Sequence, residues 1–359
     1  MRSNEKGSKP SKEPSKTKIA LFLGAGASSI YGYPTTQRFI EELKDKLGKT
    51  VEGNLLNDLL KVPHIKDVEH VIELLESMQV FTKHPLKEFV STFPMTQSFG
   101  HTGFNVNDEL RIIENLMDRI RDDVYRQYEF LPSTIEQITE AYFPLFEMIF
   151  EWRNDIEVPV FTTNYDCVVE EFCHSNEITC IDGFKLNTVS NDFEWNPAEF
   201  KKKPSKRKTL VKLYKLHGSL NWRMRSDSTI VRIGAEERTR GSRRYKQNLL
   251  IYPAEKMKPD IEPFGKLHEL FTDEFINSDL AIFIGFSFRD QYLNDVIKHS
   301  SGKTKVIIVS PHASKAKEQF KTTVYKADHI LPIDASFGEP KLMEQIAKQI
   351  VAITADVVF

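Results

Sequence analysis

Short apolar runs that stop at small or polar residues alternate along this chain with segments of helical spacing. Lys18–Leu23 (KIALFL) ends in Gly-Ala-Gly, Val158–Thr163 (VPVFTT) in Asn-Tyr-Asp, and Thr209–Leu216 (TLVKLYKL) runs into His217. Leu280–Ile284 (LAIFI) closes at Gly285, and Lys305–Val309 (KVIIV) precedes Ser310-Pro311. Nearly continuous apolar runs of this length predict strands buried on both faces, as in a parallel sheet. Helices are predicted where Phe39, Ile40, Leu43 and Leu47 share one face of Thr36–Leu47 and where Leu342, Ile346 and Ile350 point inward, with a further one over Asp290–Lys298. Strands alternating with helices predict an α/β fold with a Rossmann-like, doubly wound parallel sheet.

The pattern changes between Val51 and Trp152. Val68, Val71, Ile72 and Leu75 fall on one helical face, as do Leu110, Ile113, Leu116, Ile120 and Val124, around a piece (STFPMTQSFGHTGF) that reads as a loop or lid. This stretch is too long for a crossover within a sheet. Residues 51–152 are therefore assigned to a helical insertion, and residues 18–50 and 153–359 to the Rossmann-like domain. Residues 1–17 offer almost nothing to bury and are expected to form a disordered tail.

With 359 residues, 40% apolar and 28% charged, the chain falls within the ordinary globular range. A formal net charge of −2 gives no basis for nucleic acid or an anionic membrane as a direct partner. No apolar run approaches the roughly 20 residues of a membrane-spanning helix. Three scattered cysteines, Cys167, Cys173 and Cys180, fit a reducing cytoplasm better than a disulfide-stapled exterior. The run Lys201–Lys208, with Arg243, Arg244 and Lys246, lacks interleaved aromatics and reads as solvated loop, not as a nuclease surface.

Candidate chemistry collects at the strand ends. Gly24-Ala25-Gly26-Ala27-Ser28 joins a strand to a helix, where glycines allow a tight turn and backbone N–H groups can approach a pyrophosphate. The third glycine of the usual dinucleotide fingerprint is absent. Thr162-Thr163-Asn164-Tyr165-Asp166 places five polar or hydroxyl-bearing residues after an apolar strand, more than a helix cap requires. His217-Gly218-Ser219, Gly285-Phe286-Ser287 and Ser310-Pro311 end three more strands. Ligands of open α/β sheets bind outside the carboxyl ends of the strands, so these groups are expected to assemble one concave site.

In this order GAGAS, TTNYD, LHGS and GFS resemble the sirtuin-like NAD⁺-binding domain, and in particular the bacterial sirtuin-like NAD⁺ hydrolases of antiphage defence. The resemblance spans Lys18 to Pro311 apart from the helical insertion. It implies that Gly24, Ala25, Gly26 and Ser28 cradle NAD⁺, with Thr163, Gly285, Ser287 and Ser310 completing the cofactor-binding set. It also places Asn164 and Asp166 on the nicotinamide-ribose side and makes His217 the catalytic histidine.

Two departures shift the expected chemistry. Sirtuin deacylases carry two Cys-x-x-Cys pairs for a structural zinc, which three cysteines at these spacings do not supply, so no zinc is expected. Thr163 stands where the deacylase motif has Gln, and Tyr33-Pro34-Thr35-Thr36-Gln37 where it has Ile-Pro-Asp-Phe-Arg. The leading expectation is thus an NAD⁺ glycohydrolase releasing nicotinamide and ADP-ribose, with cyclic ADP-ribose left open as a second product. The alternatives are an NAD⁺-dependent deacylase or ADP-ribosyltransferase, and a catalytically silent nucleotide-sensing or assembly subunit. The resemblance further implies a regulated effector: a homo-oligomer controlled by a separate partner, with a hexameric HerA-type ATPase as first candidate, because little chain follows the predicted Rossmann domain.

Overall fold

A computed structural model describes residues 17–34, 36–63, 65, 68–82, 106–128, 134–153, 157–203, 209–234, 245–250, 261–288, 290–299, 304–321 and 329–355. The expected tail up to residue 16, the lid-like piece and most of the basic runs lie outside the described residues. In chain order, β1 (Ile19–Leu23) leads into the one-turn α1 (Ala25–Ser28), then α2 (Thr36–Leu47), α3 (Val51–Leu59), α4 (Val68–Thr82), α5 (Val106–Tyr128) and α6 (Ile135–Arg153). Next come β2 (Glu157–Thr162), α7 (Val168–Ser175), β3 (Thr179–Ile181), β4 (Phe184–Asn187), β5 (Asp192–Trp195) and β6 (Leu210–Lys215). They are followed by β7 (Gly218–Arg225), β8 (Ile230–Arg232), β9 (Tyr245–Leu250), α8 (Phe264–Ile276) and β10 (Leu280–Ile284). The remaining elements are α9 (Gln291–His299), β11 (Lys305–Ser310), α10 (Ala313–Lys321), β12 (Ile330–Asp334) and α11 (Leu342–Ala355).

Seven strands form a parallel sheet in the order β12-β11-β10-β1-β2-β6-β3. The chain leaves β1 towards β2, β3 and β6 on one side and later returns to β10, β11 and β12 on the other. The direction of winding therefore reverses at β1, which opens a crevice above its carboxyl end. Side chains alternate between the faces as the strand period demands. Ile19, Leu21, Leu23, Val158, Val160, Ile282 and Ile284 enter one core with α6, α7 and α11. Ala20, Phe22, Phe161, Tyr214 and Phe283 enter the other with α8. There the rings of Phe283, Phe22, Phe161 and Tyr214 stack across four strands at centroid spacings of 4.2, 4.9 and 4.8 Å.

A second, antiparallel sheet of five strands, β4-β5-β8-β7-β9, grows out of the segments after β3 and β6. β4, β5 and β8 are only three or four residues long and partly exposed, and the longer β7 mixes apolar with polar residues, so the sheet offers no run comparable to KIALFL; the sequence reading does not predict it. Helices α2 to α5 pack through Phe39, Leu43, Leu56, Val71, Leu75, Ile113 and Leu116 into a third core. Tyr165, after the end of β2, and Leu220, in β7, belong to this core as well. No helix among the described residues is long and apolar enough to cross a membrane.

Candidate active site

A cleft opens above the carboxyl ends of β1, β2, β6 and β10. Gly24, Ala25, Ser28, Thr163, Asn164, Asp166, His217, Gly285 and Ser287 line it. The turns after β1 and β10 are pressed together main chain to main chain. Gly24 N–H donates to Ile284 O (2.9 Å), Gly26 N–H to Gly285 O (3.0 Å) and Ala27 N–H to Gly24 O (2.9 Å). A Cβ on Gly26 would stand 2.7 Å from Gly285 Cα, and one on Gly24 2.5 Å from Gly285 O. Gly285 itself has φ +62°, a region that side-chain-bearing residues rarely adopt. The sequence reading assigns these glycines to close approach of a ligand. The structure shows that their bareness is used by one turn packing on another and that the three N–H groups named are spent within the protein.

The β2 side is held by side chains. Thr162 Oγ donates to Leu23 O (2.9 Å) and accepts from Asn164 N–H (3.0 Å). The Asn164 amide nitrogen donates to Gly24 O (3.0 Å) and to Ser28 Oγ (2.9 Å). Gly24 O can only accept, so this contact fixes which end of the amide is nitrogen and leaves Oδ1 as the uncommitted end. Asp166 is buried; its Oδ1 accepts from Val168 N–H (3.1 Å), while Oδ2 has no hydrogen-bond partner among the described residues. Burial pushes this carboxyl above the ordinary aspartate value; Lys215, the Val168 N–H and Ser28 pull against that rise, and Glu170 adds to it.

His217 follows β6 and is 2% exposed. Its Nε2 lies 2.9 Å from Asp290 Oδ2. The carboxylate only accepts, so Nε2 carries the proton and the lone pair of a neutral ring sits on Nδ1. That Nδ1 is buried without a hydrogen-bond partner among the described residues. Asp290 also caps α9, its Oδ1 accepting from Leu293 N–H (2.9 Å). Burial disfavours its charge, yet the hydrogen bond and charge of His217, the Leu293 N–H and the nearby His268 hold the carboxyl below the ordinary aspartate value. Sequence reasoning misses this partnership, treating Asp290 only as a helix start. An aspartate in capping position directly after a strand-end glycine turn was the available signal.

The helices supply the opposite wall. Tyr128 at the end of α5 stacks on Tyr33 (5.4 Å between centroids) and donates from its hydroxyl to Pro34 O (2.9 Å); all three residues line the cleft. The sequence marks Tyr33 and Pro34 only as a departure from the deacylase motif and does not single out Tyr128. Ser287 stands exposed at the rim. Two residues of the sequence-derived set, Gly26 and Ser310, lie outside the cleft lining: Gly26 packs behind it on Gly285, and the Ser310 hydroxyl accepts from His312 N–H (3.1 Å). The three cysteines are free thiols, and Cys180 lies against Cys173. Cys173 is in the core with Cys180 packed against that core, and Cys167 lies 3.9 Å from the Ser219 hydroxyl.

Residues 158–348 match a family described as the SIR2-like domain. Comparison with curated proteins finds no match. Among solved structures, one from work on the mechanism and regulation of Sir2 enzymes is 14% identical, covering 96% of this chain and 94% of its own, with a TM-score of 0.39. A mutated Sir2 homologue in complex with 2'-O-acetyl ADP ribose is 12% identical, with 96% of each chain covered and a TM-score of 0.41. A Sir2 homolog in complex with NAD is 11% identical, with 98% of each chain covered and a TM-score of 0.37.

Proposed function

The chain belongs to the SIR2-like domain family, and on that premise we propose that it binds NAD⁺ and cleaves the nicotinamide–ribose bond with water. The observation that carries this reading is one pairing within the cleft: the uncommitted Asn164 Oδ1 and the buried Nδ1 of a histidine oriented by Asp290. Nicotinamide leaves as a neutral base with the electron pair of the broken bond, so the site need not protonate it. What is needed is a hold on the ribose, a partner for the growing positive charge, and a proton acceptor for the nucleophile.

Each need has a residue. Asn164 Oδ1 accepts from a ribose hydroxyl or the attacking water and turns its negative end towards the sugar. Asp166, buried beneath the cleft, opposes the cationic sugar in its charged form. His217 Nδ1 takes the proton of water as its oxygen bonds to the ribose carbon, and later releases that proton to solvent. The products are nicotinamide, ADP-ribose and one proton. Gly24, Ala25, Ser28, Thr163, Gly285 and Ser287, which line the cleft, are assigned to the rest of NAD⁺, whereas the role in NAD⁺ binding expected of Gly26 and Ser310 is indirect, since both lie outside the lining.

The resemblance of GAGAS, TTNYD, LHGS and GFS to bacterial antiphage-defence NAD⁺ hydrolases supports a finer reading. The protein is a cytoplasmic, NAD⁺-depleting effector, a homo-oligomer controlled by a separate partner such as a HerA-type ATPase, and it carries no structural zinc. The deciding experiment incubates purified protein, alone and assembled with the products of neighbouring genes, with NAD⁺ and separates the products by chromatography. Nicotinamide and ADP-ribose are expected without any peptide acceptor. Turnover only in the presence of an acylated lysine peptide would overturn the hydrolase reading, and one tightly held zinc per chain would return the comparison to deacylases.

A further inference from the structure

The main-chain ladder between β2 and β6 ends where Leu216 N–H donates to Thr162 O (2.9 Å). Beyond it, the loop that carries Asn164 and Asp166 is tied to the β6 side by bonds from Ser219 and Leu220 and by a buried side chain at the end of β6. Leu220 N–H and Ser219 Oγ reach Tyr165 O, at 3.1 and 3.4 Å. A further tie is Lys215, the last residue of β6, two positions before His217. Its ammonium donates to Asp166 O and to Glu170 Oε1 (3.0 Å) on α7. Lys215 is 1% exposed, in a strand buried throughout its length.

An apolar side chain would fill this strand position without the cost of desolvating an ammonium, and a buried ion pair is a weak source of stability. The lysine therefore calls for another reason, and its two partners supply one. We infer that Lys215 is a positioning residue: its buried ammonium pins the Asn164–Asp166 loop to the strand end that carries His217. The inference rests on the reaction proposed above for its activity measurements, and on the loop alone for its exchange measurement.

The charge matters in addition to the bond. Asp166 is surrounded by Lys215 from β6, Glu170 and the Val168 N–H from α7, Ser28 from α1, Tyr31 from the turn after α1 and Tyr142 from α6. Lys215 is the one cation in this set. Burial works against its charge, but Glu170, Cys167 and Asp166 together hold it above the usual lysine range, so it stays protonated at neutral pH. Without it the Asp166 carboxyl rises further and is neutral over more of the pH range.

Two variants test this: Lys215→Met, and Lys215→Met combined with Glu170→Leu, which replaces the ion pair by apolar groups and so separates fold stability from positioning. With NAD⁺ as substrate, kcat is expected to fall about tenfold or more in both while KM changes little. The acid limb of the kcat profile should move to higher pH. Amide exchange over residues 163–169 should accelerate about tenfold relative to β1 and β10. A double variant that melts like the wild type and keeps wild-type kcat, pH profile and loop exchange would overturn the inference. Wild-type protein that does not turn over NAD⁺ would instead overturn the reaction proposed above, and the exchange measurement alone would then decide the role of Lys215.

Discussion

At β1 and β10 the cleft is bounded by main chain, while at β2 and β6 it is bounded by side chains. Gly24, Gly26 and Gly285 let two turns meet backbone to backbone, with the Gly24 and Gly26 N–H groups donated across to Ile284 O and Gly285 O and the Gly285 N–H donated to Val309 O. Asn164, Asp166 and His217 are held by hydrogen bonds from their own polar atoms, and among the described residues Asp166 Oδ2 and His217 Nδ1 are buried without a hydrogen-bond partner, while the Asn164 amide nitrogen carries that residue's bonds to Gly24 O and Ser28 Oγ. The first half shapes the cleft and the second equips it. Damage to the two halves should therefore look different.

The largest effect is expected at Gly285→Val. A side chain there meets the main chain of Gly26 and Ala27, and its φ of +62° disfavours any β-branched residue. The loss should be about 3 kcal/mol or more, and the melting temperature should fall by about 10 °C, with turnover lost as a consequence of the altered fold. A Gly285→Val protein that melts like the wild type would break the comparison at its first half. The same clash changes the expectation for Gly26: a side chain there disturbs the turn itself before it reaches any ligand.

Next come His217→Ala and Asn164→Ala. Each should reduce turnover of NAD⁺ by about 10³-fold while the melting temperature and NAD⁺-induced stabilisation are largely kept. Because the two act in one site, the double variant should be little worse than either single one. Near-normal turnover in His217→Ala would make that residue structural and shift the search for the base to Asp166.

The smallest effects separate the two aspartates by pH. The Asp290 carboxyl is held below its ordinary value, so it contributes stability above the unfolded-state value of about 3.9 and loses it as pH falls through the folded value. Asp166 is raised, so its charge costs stability at neutral pH, and that cost disappears as pH falls through its folded value. Asp290→Asn should thus lower stability at pH 7 by about 1 kcal/mol and turnover by about tenfold, because Nε2 of His217 loses its carboxylate partner. Asp166→Asn should melt no lower than wild type at pH 7 and yet lose turnover. Melting curves between pH 3 and 8 and product assays at pH 7 check both variants; a shared sign would remove the distinction between them.

The sequence by itself determined the parallel sheet and which polar residues stand at the ends of its strands. KIALFL, VPVFTT, LAIFI and KVIIV are apolar at every core position, and burial on both faces leaves such runs no other use. Their polar ends were legible for the same reason: Asn164, Asp166, His217 and Ser287 come after strands that must be parallel, and parallel strands present those ends on one side. Other features were decided by the tertiary structure alone. The five-stranded sheet was hidden because strands such as Asp192–Trp195 are short, half exposed and paired across long intervals of sequence. Tyr33 and Tyr128 reach the cleft only because the helices dock beside it, and nothing local to either residue encodes that. Asp290 and Lys215 meet partners 73 and 49 positions away. A pattern read along the chain shows what a residue can bury, whereas a long-range hydrogen bond depends on which strand ends the sheet order brings side by side.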